Sequence, residues 1–342
     1  MLIRLRPLFD RYPKLFRPTA IEPVGGSGLS GAEIFRTSSP LGRFALRCWP
    51  SEHPTDERLR SIHRLLTQAH ERGCNFVPIP IASLSGETFI EFAGRRWQLE
   101  RWMPGEPEPS GSPSRKRVSS ALDALARLHR ALDADTDHKH SVGPSPGLAE
   151  RVRVLESCLN GDLHRVRSAL ADASHSDWHD RAERYSQLFE RSAPAFFTLL
   201  HRTAQIEYRL QPVVRDVHRE HVLFTGNEVT GLIDFGAMSV DNPAVDLARL
   251  LGSYDIDDAE ERSALLIDYS PNLLSDELSA VEAFDRSGAL LSPFRWLWWL
   301  FVERRTFRDM AAVAHRFDVL LQRLTRLVDD PPSAPAFNPT DL

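Results

Sequence analysis

Residues 211–254, QPVVRDVHREHVLFTGNEVTGLIDFGAMSVDNPAVDLARLLGSY, constrain this chain more than any other stretch. Val222 to Phe224 and Val229 to Ile233 are short apolar or β-branched runs, and Thr225-Gly226-Asn227-Glu228 between them supplies turn residues. The pattern predicts a β-hairpin. Asp216 precedes it and Asp234 follows it, which puts both in loops at strand ends, where a rigid scaffold holds polar groups towards a cleft. Two carboxylates so placed suit phosphoryl transfer. That chemistry needs one beside the attacking hydroxyl and one on the divalent ion that neutralises the phosphates.

Upstream, residues 20–49 read as strand, glycine-rich turn, strand, turn, strand: AIEPV, GGSGLSGA, EIFRT and RFALRCW. Gly25, Gly26, Gly28 and Gly31 permit positive φ and close backbone approach, so amide groups there can point at phosphate oxygens. By itself such a turn is equally an ordinary hairpin loop. In RFALRCW, Ala45, Arg47 and Trp49 share one face and Phe44, Leu46 and Cys48 the other. A helix is predicted from Thr55 to Arg72 with Leu59, Ile62, Leu65, Leu66 and Ala69 on one stripe, ended by Gly73. Two more strands, ETFIEF and RRWQLERW, lead into MPGEPEPSGSPS, a change of composition that marks a connection between domains.

Beyond it, Val118 to Leu132 has helical spacing and 133–147 is a polar, Pro-containing loop. Helical stretches follow over 148–171 and 178–207, and a Trp-rich helix over 294–310. The acidic group Asp255, Asp257, Asp258, Glu260 and Glu261 is read as a helix N-terminus, where negative charge is favourable.

The segments VRDVHREHVLF, LIDFG and DNPAVDLA resemble the catalytic and metal-binding loops of the aminoglycoside phosphotransferase and choline kinase-like family, relatives of the protein kinases. The resemblance implies an α+β, two-lobed protein kinase-like fold, with an N-terminal antiparallel sheet carrying one helix and a mainly helical C-terminal lobe. Residues 1–104 would be the nucleotide-binding lobe, 105–330 the catalytic and acceptor-binding lobe, and 331–342 a flexible Pro-rich tail. It implies Asp216 as catalytic base, Asp234 and His221 as metal ligands, and Asp246 as buttress of the loop. Gly26, Gly28, Ser30 and Gly31 would cradle phosphate, and Arg47 would pair with the phosphates. Backbone groups around Glu100 and Trp102, in WQLERWMPGEP, would hold adenine.

The implied activity is ATP-dependent phosphorylation of a hydroxyl on a small molecule. Mg2+ is the implied ion, with Mn2+ the alternative because an imidazole ligand suits softer metals. Four positions depart from the family pattern: Val214 stands for its His, Arg47 for its Lys, Ile62 (beside His63) for its Glu, and His221 for its Asn. The last three carry the alternative, a catalytically impaired kinase-like module that binds a nucleotide or metabolite without transfer. A metal-hydrolase reading of Asp216, His218 and His221 ranks third, since their spacing is no specific zinc signature.

Composition narrows the partners. A formal charge of -5 gives no basic field for nucleic acid. The most apolar run, Trp296 to Val302, is far short of the roughly 20 residues that span a bilayer and predicts a buried helix. Arg, Asp and Pro interrupt the N-terminal apolar residues, so no export signal is expected. Cys48, Cys74 and Cys158 form no metal-like spacing and read as free thiols of a cytoplasmic protein. Nothing in the sequence fixes an oligomeric state.

Overall fold

The computed structural model describes residues 2–24, 31–109, 111, 113–134, 141–171, 176–270, 273–307 and 309–329. The chain forms two compact units, Met1–Asp137 with Asp216–Met238, and His138–Arg215 with Ser239–Leu342. The first unit opens with α1 (Leu2–Phe9), β1 (Ala20–Pro23), β2 (Glu33–Ser39), β3 (Gly42–Cys48) and α2 (Asp56–Glu71). It continues with β4 (Ile90–Phe92), β5 (Arg95–Arg101), β6 (Glu106–Pro107) and α3 (Arg115–Asp133). The second unit then supplies β7 (Ser141–Pro144), α4 (Pro146–Ser157), α5 (Leu163–Ala171), α6 (Ser176–Ala204) and β8 (Glu207–Val213). The chain returns to the first unit for β9 (Val222–Thr225) and β10 (Glu228–Leu232). It ends in the second with β11 (Ser239–Asp241), α7 (Ala244–Ser253), α8 (Ala259–Tyr269), α9 (Ser275–Leu297) and α10 (Met310–Asp329).

In the first unit, five antiparallel strands lie in the order β1-β2-β3-β5-β4. Alternation along β3 divides the sheet's work. Phe44, Leu46 and Cys48 join Leu99 and Trp97 in a core closed by Leu5, Leu8 and Phe9 of α1 and by Tyr12. Each large apolar side chain fully buried there contributes about 2 kcal/mol. The opposite face presents Ala45, Arg47 and Trp49 beside Gln98 and Glu100, because the register sets Arg47 against Gln98 and Ala45 against Glu100. Helix α2 starts where the Thr55 hydroxyl accepts the Arg58 amide at 3.3 Å, and it buries the predicted stripe together with His63.

The predicted hairpin is β9 and β10, turned at Gly226 with φ of 63°. Strand β6 adds to its free edge. In the second unit β7, β8 and β11 form a three-stranded antiparallel sheet in the order β11-β8-β7, accompanied by the remaining helices.

Three local expectations are corrected. Residues 133–147, read as loop, contain strand β7. The helix read to 207 ends at Ala204, and Glu207 already begins β8. The Trp-rich stretch is not one helix: α9 passes into a π-helical turn over Trp298–Val302 whose residues are only partly buried, and helix resumes at Met310. Arg304 there has φ of 55°, which a helix cannot contain. Among the described residues no helix is long and apolar enough to cross a membrane.

Candidate nucleotide and phosphoryl-transfer site

The hairpin brings its two flanking loops together. Val222 opposite Leu232 closes the base of the ladder, and the Ile233 amide donates to the His221 carbonyl at 3.0 Å. His221 therefore stands beside Asp234. Its Nδ1 lies 2.9 Å from the Asp216 carbonyl oxygen, and its Nε2 lies 3.8 Å from Asp234 Oδ2. A carbonyl only accepts, so Nδ1 carries a proton, and Nε2 is the nitrogen that faces the Asp234 carboxylate. His221 thus joins the backbone of Asp216 to the side chain of Asp234, and the His218 ring lies tilted against that of His221 at 3.7 Å between centroids.

Asp234 itself sits in the left-handed region, with φ of 65° and ψ of 66°. Arg47 reaches it from β3, Nη1 donating to Oδ1 at 2.9 Å. Burial alone would raise the Asp234 pKa. The charge of Arg47, then that of His221 when protonated, and hydrogen bonds from Arg47 and the Gly236 amide outweigh it and hold the carboxyl below its usual range. Arg47 is only 5% exposed and is clamped on its other side by the Trp49 ring, 4.9 Å from the guanidinium. Gly236 leaves room for that ring: a Cβ there would come within 3.0 Å of it. Arg58 of α2 steadies the same loop, donating to the carbonyls of Gly236 and Met238 at 3.3 and 3.2 Å.

Behind Arg47 lies a buried polar relay. The Trp49 indole N–H donates to Gln98 Oε1 at 2.6 Å, and Gln98 Nε2 donates to Glu100 Oε2 at 2.7 Å. Indole is a donor only, so it fixes which way the Gln98 amide faces. His63 Nε2, 3.1 Å from the same Oε1, must then carry its proton, while Nδ1 accepts from the Thr88 hydroxyl at 2.7 Å. Burial is the main cause that lowers the His63 pKa to about 4, with Arg47 adding to it against the Gln98 bond. His63 is neutral at ordinary pH. Burial likewise pushes the Glu100 carboxyl up, against the charge of Arg47 and the Gln98 bond. Where the family pattern has a helix glutamate, Ile62 is buried, and Glu100 on the sheet is an acid that feels the charge of Arg47.

The remaining predicted residues are placed as follows. Gly26, Gly28 and Ser30 lie outside the described residues, and Gly31 has φ of 71°. Trp102 is half-buried under Arg36, and its amide donates to the Arg43 carbonyl at 3.2 Å, extending the β3–β5 ladder. In the second unit the Asp246 carboxylate accepts the amides of Val214 at 2.7 Å and Arg215 at 2.6 Å. That clamp secures the two residues just before Asp216, including Arg215 at φ of 67°. Among the described residues no three His, Cys, Asp or Glu side chains converge to hold a metal. Sequence reading assigned no role to Trp49, Arg58, Thr88 or Gln98; Trp49 and Gln98 left a signal, since they share strand faces with Arg47 and Glu100.

The elements and this arrangement define a protein kinase-like α+β fold. A model of the Phosphotransferase enzyme family matches residues 21–284, so the chain belongs to that family. No curated protein matches the sequence. Solved structures share the fold. Spectinomycin phosphotransferase APH(9)-Ia in complex with ADP and spectinomycin is 15% identical, with 94% of this chain and 97% of that one covered and a TM-score of 0.65. The amicoumacin kinase hAmiN in complex with AMP-PNP, Ca2+ and Ami is 13% identical over 97% and 94% of the two chains, with a TM-score of 0.64. Choline kinase from Cryptosporidium parvum is 17% identical over 96% of each, with a TM-score of 0.56.

Proposed function

We propose that this chain transfers the γ-phosphoryl group of ATP to a hydroxyl of a small molecule. One observation carries the reading: the loops on either side of the hairpin meet at His221, whose ring lies between the Asp216 backbone carbonyl and the Asp234 carboxylate. In this reading Asp216 orients the acceptor and takes its proton. The acceptor oxygen forms a bond to the γ-phosphorus as the bond to the bridging oxygen breaks, and ADP leaves with that electron pair. Asp234 and His221 would hold a divalent ion, Mg2+ or Mn2+. Their donor set fits one, because the Asp216 carbonyl takes Nδ1 of His221 while Nε2 and an Asp234 carboxylate oxygen face each other 3.8 Å apart. When bound, the ion supplies positive charge to the phosphate oxygens. Arg47 would add a cation in the same cleft, and Gly31, with φ of 71°, would lend its backbone to the phosphates. A reducing, cytoplasmic setting agrees with Cys48, Cys74 and Cys158, all buried and unbonded.

A second reading, a kinase-like module that binds without transfer, is favoured by the Arg47 guanidinium seated on Asp234 and by the Trp102 amide held by Arg43. Calorimetric titration with ATP, alone and with Mg2+ or Mn2+, followed by transfer assays on a panel of small hydroxyl compounds, separates the two. The phosphotransferase reading expects metal-dependent ATP binding and a labelled product. It also expects Asp216→Ala to cut transfer about 10²–10⁴-fold with nucleotide affinity kept. Binding without any product across the panel supports the second reading, and no ATP binding overturns both.

A further inference from the structure

Arg47 and Asp234 form an ion pair of unusual consequence, because Asp234 is also the carboxylate that the phosphotransferase reading gives to the cation. Three observations bear on it. Arg47 spends one N–H on Asp234 Oδ1, on the carboxylate whose other oxygen faces His221. Its Nε is buried and has no partner among the described residues, so the guanidinium holds donors in reserve inside the cleft. The α2 stripe offers it no carboxylate, since Ile62 and the neutral His63 stand there. The charge of Arg47 is therefore balanced by Asp234, with Glu100 close enough to share in it.

We infer that Arg47 and a divalent cation compete for Asp234, so that the nucleotide-free cleft excludes the metal and an anionic phosphate ligand, by drawing the guanidinium away, opens the carboxylate to it. The inference rests on the reading of Asp234 as the cation's ligand. It turns a departure from the family pattern into an order of binding: phosphate first, or phosphate and metal together, never metal alone. An arginine serves this better than a lysine. Its planar fork offers a phosphate N–H groups that Asp234 does not use, so the phosphate engages the guanidinium before the carboxylate lets it go.

The test titrates Mn2+ alone into the full-length protein and follows the free hexaaqua ion by electron paramagnetic resonance, with neither nucleotide nor acceptor present. Wild type is expected to bind weakly. Arg47→Gln, which keeps length and a hydrogen bond but removes the charge, should bind Mn2+ at least about tenfold more tightly, the least that an adjacent cation does to a proton on a carboxylate. Adding Asp234→Asn to that variant should abolish the gain. Arg47→Lys should fold where Arg47→Gln does not, and should show an intermediate gain. Equal Mn2+ affinity in wild type and in either folded Arg47 variant overturns the inference, even if metal-dependent transfer from ATP has been found. A gain in Mn2+ affinity without ATP binding or transfer leaves the inference standing and removes the phosphotransferase reading instead.

Discussion

Asp246 and Asp234 are both aspartates of the family motifs, yet the chain holds them by different means. The Asp246 side chain lies in a residue with no exposed surface and takes two backbone amides, those of Val214 and Arg215. Asp234 keeps a side chain 31% exposed and takes a side-chain cation, Arg47, beside a single backbone amide, that of Gly236. Backbone donors cannot leave without unfolding the loop, while a guanidinium can be drawn to another anion. One carboxylate is therefore a fixed part of the scaffold and the other an exchangeable part of the cleft. The difference lies in the donors, since both acids are mostly withdrawn from water.

The largest test of that contrast is Asp246→Ala. It strands two buried N–H groups beside a residue in the left-handed region, and each orphaned donor costs about 1–3 kcal/mol. Denaturant unfolding should show a loss of about 4 kcal/mol, and a loss comparable to that of Asp234→Asn would break the comparison.

Next comes pH. The His63 pKa is lowered from 6.5 to about 4, so between those values the unfolded chain binds the extra proton. Stability from this group is complete above 6.5 and is lost as pH falls towards 4, by about 3 kcal/mol. Glu100 acts in the opposite sense, because its raised pKa makes the native state the better proton binder. Comparing melting curves of wild type and His63→Phe between pH 7 and pH 4 isolates the histidine, whose removal should flatten the decline.

Asp234→Asn should be milder for the fold, about 1 kcal/mol, because the site is partly open to water and the Asn side chain still accepts a hydrogen bond from Arg47. The smallest effect sharpens the point. Glu100→Gln alone should be nearly neutral in denaturant unfolding, but combined with Asp234→Asn it should cost about 0.5–1 kcal/mol more than the two separately. Simple additivity would mean that Glu100 has no share in balancing Arg47.

The sequence announced the hairpin because its information is local: two β-branched runs and a Gly-Asn turn need no distant partner. Helix α2 was legible for the same reason, its stripe and Thr55 cap lying within one element. Strand β7 was not, since Ser141-Val142-Gly143-Pro144 lacks alternation and owes its pairing to β8, far along the chain. In the site, alternation along β3 placed Arg47 beside Trp49 but could not show that its partner lies 187 residues away. Nor could any single-strand pattern reveal the relay from Trp49 through Gln98 to Glu100. It depends on the β3–β5 register, and register is a property of two strands together.

The first compact unit is discontinuous: it holds Met1–Asp137, then waits for Asp216–Met238. During synthesis the sheet and α2 leave the ribosome with Arg47 in place and Asp234 not yet made. At about 5–20 residues per second, the intervening stretch takes on the order of ten seconds to translate. For that interval a nearly buried guanidinium lacks its aspartate, and Trp49 lacks the Gly236 backbone that covers it. The unit can begin to fold early but cannot finish until residues 216–238 are made.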